Sequence, residues 1–256
     1  MQINAVMSLP TPAFSLADSG AFGTRVQAAA LGTALGLIDR LSAHHPGTVM
    51  HSVQVARLTL VMWNVGPAWL GPHETVMLGG LLHDVGKLFV PKEILGSDRK
   101  LTPAEFAVMR EHPRTGAVLL EQLGFSDGVV AAARDHHERW SGNGYPTGRA
   151  ARLLSPLSRA VATADAFSAM IEPRPYRRTM TIAQALAEIA NCRGTQFDPT
   201  TVDLLHAGME AEGSPAINSP LAGIDYEITR AVQSIGKVAA SRNVVLTSGS
   251  SEGWQT

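Results

Sequence analysis

A helical period runs along most of this chain, and glycine and proline break it into segments. That pattern restricts the fold more than any other feature. From about Phe22 to Arg40, the apolar positions Val26, Ala29, Ala30, Leu37 and Leu41 recur at helical spacing. Pro46-Gly47 reads as the break. A second helix is predicted from about Thr48 to Asn64, with Val49, Val53, Ala56 and Leu60 on one face. A third starts near His73, carries Val76, Leu78, Leu81 and Leu82, and ends near Gly86. Thr102 has the features of an N-cap: Pro103 follows it and Glu105 stands three residues on, opening a helix that should run to about Leu123. Further helices are predicted at about Asp127–Glu138, Pro156–Ile171, 181–191, 199–211 and 221–241. No alternating run calls for a strand, so the expected fold is all-α.

Composition agrees and narrows the function. Apolar residues make up 45% of the 256, enough for one real core, while aromatics make up only 5%, which favours helix over sheet. The predicted organisation is a flexible leader over 1–19, one helical domain over 20–212, a C-terminal helical extension over 213–242 and a disordered tail over 243–256. A net charge of −1 gives no general reason to bind long nucleic acid. A small anionic ligand needs only a few local cations. Cys192 stands alone, so no intrachain disulfide forms and a reducing, cytoplasmic setting is expected. There is no run of roughly eighteen or more apolar residues to cross a membrane, and no secretory leader pattern.

The chemistry-bearing residues are His51, His83, Asp84, His112, His136, His137 and Asp165. Imidazoles and carboxylates without thiolates suit Fe, Mn or Zn. A lone His-Asp pair arises easily by chance, and His44, His45, His73 and His206 read as ordinary surface or core residues. Asp165 is more telling. It sits within the apolar helical run Ala164-Asp165-Ala166-Phe167, where an unpaired carboxylate is costly to bury. An Arg partner or a helix cap would be its bland explanation. Lys87 lies four residues after His83, on the same face if the helix persists. Arg174-Pro175-Tyr176-Arg177-Arg178 reads as a solvated turn or as a phosphate clamp, since arginine donates two parallel hydrogen bonds. Glu138 either orients a histidine or caps the turn that follows. Trp140 and Tyr145 are expected to pack that loop.

Six motifs together resemble the HD-GYP family of the HD phosphohydrolase superfamily, over roughly residues 22–211. They are His83-Asp84-Val85-Gly86-Lys87, Glu111-His112-Pro113, His136-His137-Glu138 through Gly144-Tyr145-Pro146, Ala164-Asp165-Ala166-Phe167, Arg174-Pro175-Tyr176-Arg177 and Gln196-Phe197-Asp198-Pro199. The resemblance implies a single helical HD-domain bundle that hydrolyses cyclic di-GMP to pGpG or GMP, or acts on cyclic GMP-AMP in some members. It implies that His51, His83, Asp84 and Asp165 hold one metal, and that Asp84 bridges to a second held by His112, His136 and His137. The metals would be Fe or Mn, with Zn, Ni or Mg as alternatives. It implies that Lys87, Arg174 and Arg177 hold the scissile phosphate. Attack on phosphorus would come from a metal-bridged hydroxide, with Asp84 and Lys87 central to catalysis. Gly144, Tyr145 and Pro146 resemble a loop proposed to meet GGDEF-domain proteins.

This sequence departs from the family pattern at three places. Members with three metals carry Glu four residues before the first histidine. Here that residue is Gly47, so two metals are expected. The acid often found three residues after Asp165 is Ser168, and an acid or amide is often found where Ser141 stands. The losses at Gly47 and Ser168 motivate a competing expectation, a weakly active cyclic-dinucleotide-binding scaffold. Residues 1–46 are too short for a receiver domain, and the C-terminal helix is a candidate for packing on the domain or for forming a homodimer.

Overall fold

The structure is a computed structural model that describes residues 19–172 and 179–212. The leader, Arg174 and Arg177, the helix expected at 221–241 and the tail lie outside the described residues. The elements are α1 (Ser19–His44), α2 (Pro46–Val65), α3 (Pro67–Leu70), α4 (His73–Leu82), α5 (Lys92–Leu95), α6 (Pro103–Met109), α7 (His112–Gln122), α8 (Asp127–Asp135), α9 (Pro156–Ile171), α10 (Ile182–Asn191) and α11 (Pro199–Glu212). Short 3₁₀ turns span Val85–Phe89 and Ala151–Leu153. Among the described residues there is no sheet, only an isolated bridge between Arg193 and Phe197. The all-α expectation holds.

Helix α2 is the centre of the bundle, in contact with α1, α4, α9 and α11. Its periodicity suggests one buried face, but Val55, Leu58, Val61 and Met62 are buried as well as Val53, Ala56 and Leu60. A helix enclosed on all sides needs apolar residues all round, and the sequence supplies them. Leu81, Leu82, Val129, Ala132, Val161, Phe167 and Leu205 complete the core around it.

Several boundaries differ from the sequence expectation, each for a local reason. Pro46-Gly47 opens α2 rather than separating two helices by a turn. Proline occupies the first helical position, where its missing N–H costs nothing, and the His45 ring accepts a hydrogen bond from Thr48 N at 3.2 Å as the N-cap. Helix α4 stops at Leu82, not Gly86, and the chain tightens into the 3₁₀ turn. The predicted Thr102–Leu123 helix is two helices. The Thr102–Glu105 capping box starts α6 as expected, but Pro113 has no N–H for the Met109 carbonyl four residues back and cannot continue the first helix. Helix α8 ends at Asp135, which leaves His136 as its C-cap and His137 beyond it.

Candidate metal centre

The ends of three helices and the sides of two converge at one point. His83 is the C-cap of α4, His136 is the C-cap of α8, and His112 begins α7. Helix ends leave carbonyls without helical partners, and these histidines use them. His83 Nδ1 donates to Gly80 O at 2.8 Å, and His136 Nδ1 to Ala133 O at 2.8 Å. His112 Nδ1 donates to Met109 O at 2.7 Å, the carbonyl that Pro113 leaves free. In all three, Nδ1 carries the proton by this assignment, so each Nε2 presents a lone pair inward. His51 and Asp165 join from the sides of α2 and α9.

The inward atoms are too close, and too poorly partnered, for an ordinary core. The Nε2 atoms of His112 and His136 lie 3.1 Å apart. Asp84 Oδ1 lies 3.2 Å from His112 Nε2, and Asp84 Oδ2 3.4 Å from His83 Nε2. His83 Nε2 and Asp84 Oδ1 are buried with no hydrogen-bond partner. Lone pairs facing one another in a dry site are unfavourable unless a cation lies between them. Two triads bring their ligand atoms within 4.8 Å of one another and divide the donors: His51, His83, Asp84 and His112, His136, His137. A third, His83, His136, Asp165, ties the two together. This donor set of neutral imidazole and carboxylate fits divalent metals.

Charge is arranged to match. Burial opposes ionisation of Asp84, but Lys87 and His83 hold its carboxyl well below the usual range. The helix does not persist to Lys87. The 3₁₀ turn brings residues three apart together, so Lys87 Nζ meets Asp84 Oδ2 at 2.5 Å rather than sharing a helical face with His83. Burial, then the neighbouring His137 and His83, push His136 far down, and burial takes His137 to about 3. His51 is different. Burial works against its charge, yet hydrogen bonds to Asp165 and Glu172 raise it to about 10. Asp165 is held well below the carboxylate range, with His51 outweighing its burial.

Two glycines permit the close approaches the site needs. A Cβ on Gly86 would stand 1.9 Å from His112 O, so only glycine lets the His-Asp turn lie against α7. A Cβ on Gly144 would stand 2.5 Å from Arg139 N, which fixes the loop after His137. In that loop Tyr145 N donates to His137 O at 3.2 Å, and the Tyr145 ring stacks on His137 with centroids 4.8 Å apart. Tyr145 thus packs, as expected, but against a candidate ligand. Glu138 caps the loop rather than orienting a histidine: its Oε1 accepts from Thr147 N at 2.7 Å and from Thr147 Oγ1 at 2.8 Å. Trp140 N and Ser141 N bond to the carbonyls of Gln196 and Thr195, which anchors the loop to the Gln196-Phe197-Asp198-Pro199 segment. A cavity of about 210 Å³ opens beside the cluster, lined by His136, His137, Tyr145, Asn143, Arg139, Asp165 and Gln196 among others.

The structure brings all seven predicted donors and Lys87 together and sets Gly144, Tyr145 and Pro146 beside them. Arg174 and Arg177 lie outside the described residues. Sequence reasoning missed Glu172, which accepts from His51 Nδ1 at 2.8 Å, and Arg110, whose guanidinium lies 4.6 Å from the centre of the Tyr145 ring. The only sequence signal for Glu172 is an acid one helical turn beyond Ser168 on the face that bears Asp165.

An all-helical bundle that places an adjacent His-Asp pair among further histidines at its helix ends defines the HD-domain class. The chain belongs to this family: a family model described as "HD domain" matches residues 17–201. A Pseudomonas aeruginosa protein described as a cyclic di-GMP phosphodiesterase is 38% identical over 167 residues, covering 65% of this chain and 40% of that protein. A Vibrio cholerae protein described as a 3′3′-cGAMP-specific phosphodiesterase is 35% identical over 173 residues, covering 65% of this chain and 36% of that one. The chain therefore spans well under half the length of these relatives. A solved structure of a V. cholerae cyclic GMP-AMP phosphodiesterase shares the fold, with a TM-score of 0.53 and 18% identity over 81% of this chain and 53% of that chain. Among the described residues, no helix is long and apolar enough to cross a membrane.

Proposed function

We propose that the chain is a metal-dependent phosphodiesterase that hydrolyses cyclic di-GMP to pGpG or GMP. The observation that carries this reading is the convergence of seven donor residues around His83 Nε2 and Asp84 Oδ1, which are buried and lack partners. His51, His83, Asp84 and Asp165 would hold one divalent ion, and His112, His136 and His137 a second, with Asp84 facing both sets. Fe or Mn suits the all-nitrogen-and-oxygen donors best, and Gly47 supports two ions rather than three. When bound, such ions supply Lewis-acid stabilisation of phosphoryl charge and lower the pKa of water.

The chain's own residues do the rest. Lys87, already at the cluster, neutralises Asp84 and lies where it can meet a phosphate oxygen, with Arg174 and Arg177 as further phosphate partners. The cavity beside His137 is smaller than the roughly 300–1,000 Å³ of a drug-sized site. It would take one end of a dinucleotide and leave the remainder along the surface near Arg110 and Arg139. Gly144, Tyr145 and Pro146 border this cavity or follow its rim, a position suited to substrate access and to contact with GGDEF-domain proteins. Cytoplasmic location and homodimer formation belong to this proposal, and light scattering of the purified chain checks the second.

The similarity to a cGAMP-specific relative favours cyclic GMP-AMP as the second substrate to examine. Turnover of both dinucleotides by Mn- or Fe(II)-loaded protein tests the reading. Tight binding of either without a linear product would instead support the scaffold expectation.

A further inference from the structure

We propose that Glu172 is the positioning residue that turns His51 toward the metal centre, reaching back one helical turn to the space beside Ser168. The inference rests on the reading of His51 as a metal ligand. His83, His112 and His136 are each oriented by a carbonyl three residues back at a helix boundary. His51 cannot use that device, because it sits inside α2, where backbone carbonyls are already engaged in helical hydrogen bonds. Its orientation must come from another helix, and α9 provides it on both sides of the ring. Asp165 Oδ1 lies 2.8 Å from His51 Nε2, and Glu172 Oε1 lies 2.8 Å from His51 Nδ1. Ser168, fully buried between them, donates its hydroxyl to Glu172 Oε1 and sits 3.3 Å from His51 Nδ1. The three residues stand at 165, 168 and 172, spacing that places them along one helical face.

Glu172 stands where the helix itself does not favour an acid. It is the C-cap of α9, the end of a helix where the macrodipole disfavours an acid. Its carboxylate there meets His51 Nδ1 and the Ser168 hydroxyl. With Nδ1–H held by Glu172, Nε2 is the nitrogen left to face Asp165 and the cluster. A carboxylate oxygen thus stands beside the imidazole although residue 168 itself carries no acid.

The test uses the full chain and Mn²⁺, with free Mn²⁺ followed by electron paramagnetic resonance and folding by circular dichroism. Glu172→Ala should weaken one of the bound ions about 10–100-fold, the usual cost of losing a partner behind a metal-binding histidine. Moving the acid back, in the double variant Ser168→Asp with Glu172→Ala, should recover most of that loss. Wild-type affinity in Glu172→Ala, or a double variant no better than Glu172→Ala, would overturn the inference. If Glu172→Ala does not fold, the double variant decides alone: near-wild-type affinity supports the inference and weak affinity overturns it. Wild-type protein that binds no Mn²⁺ would instead overturn the metal-site reading itself, a failure visible before any variant is made.

Discussion

Gly86→Ala should damage the centre without touching a metal donor. The added Cβ would lie 1.9 Å from His112 O and 2.6 Å from Gly116 N, both backbone atoms that cannot rotate away. Relief requires the turn and α7 to separate by roughly 1 Å, since carbon and oxygen do not approach much below 3 Å. Overpacking of this kind costs about 1–3 kcal/mol. His112 rides on α7, so the same shift moves it away from Asp84 and His136. A displacement of about 1 Å in a catalytic constellation can lower turnover on the order of 100-fold. Urea unfolding should show a lower midpoint at unchanged slope, and the variant should lose affinity for one ion. Gly36→Ala is the control. That glycine lies in α1 with nothing within 4 Å of the added Cβ, so the change should be neutral or stabilising by up to about 1 kcal/mol. Gly86→Ala with wild-type stability and full metal content would refute the reasoning.

Other predictions follow from single contacts. Pro113→Ala gives residue 113 an N–H that competes with His112 Nδ1 for Met109 O, so calorimetry should show metal affinity reduced by about 10-fold or more. Tyr145→Phe should leave metal binding and turnover near wild type, because the ring stacks on His137, whereas Tyr145→Ala should lower turnover; equal losses in both would show that the hydroxyl matters instead. In the metal-free protein, His51 titrates at about 10, against an ordinary 6.5. It is therefore protonated at pH 7–9, and metal uptake must displace its proton, so affinity rises with pH and calorimetry in buffers of different ionisation heat should report about one proton released. For stability, the raised value means that the His51 contribution is full below 6.5 and is lost as pH climbs toward 10. His137, lowered to about 3, does the reverse: its contribution is full above 6.5 and is lost as pH falls toward 3. Urea midpoints of metal-free protein across pH 4–10, compared with His51→Gln and His137→Gln, separate the two.

The clustering of the seven candidate donors was legible because metal chemistry restricts residue type, and their motifs mark the positions. The helical fold was legible because its period is strong. The boundaries were less so, and the errors fall on the site. Lys87 would share a face with His83 only if the helix persisted, but helix α4 yields to a 3₁₀ turn, and the lysine meets Asp84 instead. Pro113 reads simply as a proline near a histidine, yet its missing N–H both splits α6 from α7 and frees the carbonyl that orients His112. Glu172 was invisible because its partner lies 121 residues away and the contact depends on how α9 crosses α2. Pattern within one helix carries no information about that crossing.

The central claim is that the cluster around Asp84 binds two divalent ions and hydrolyses a cyclic dinucleotide. Protein purified without oxygen, loaded with Mn or Fe(II) and given cyclic di-GMP, should contain two ions per chain and release pGpG or GMP. Asp84→Ala should lose metal and turnover while its circular dichroism stays helical. Undiminished turnover in Asp84→Ala would contradict the account.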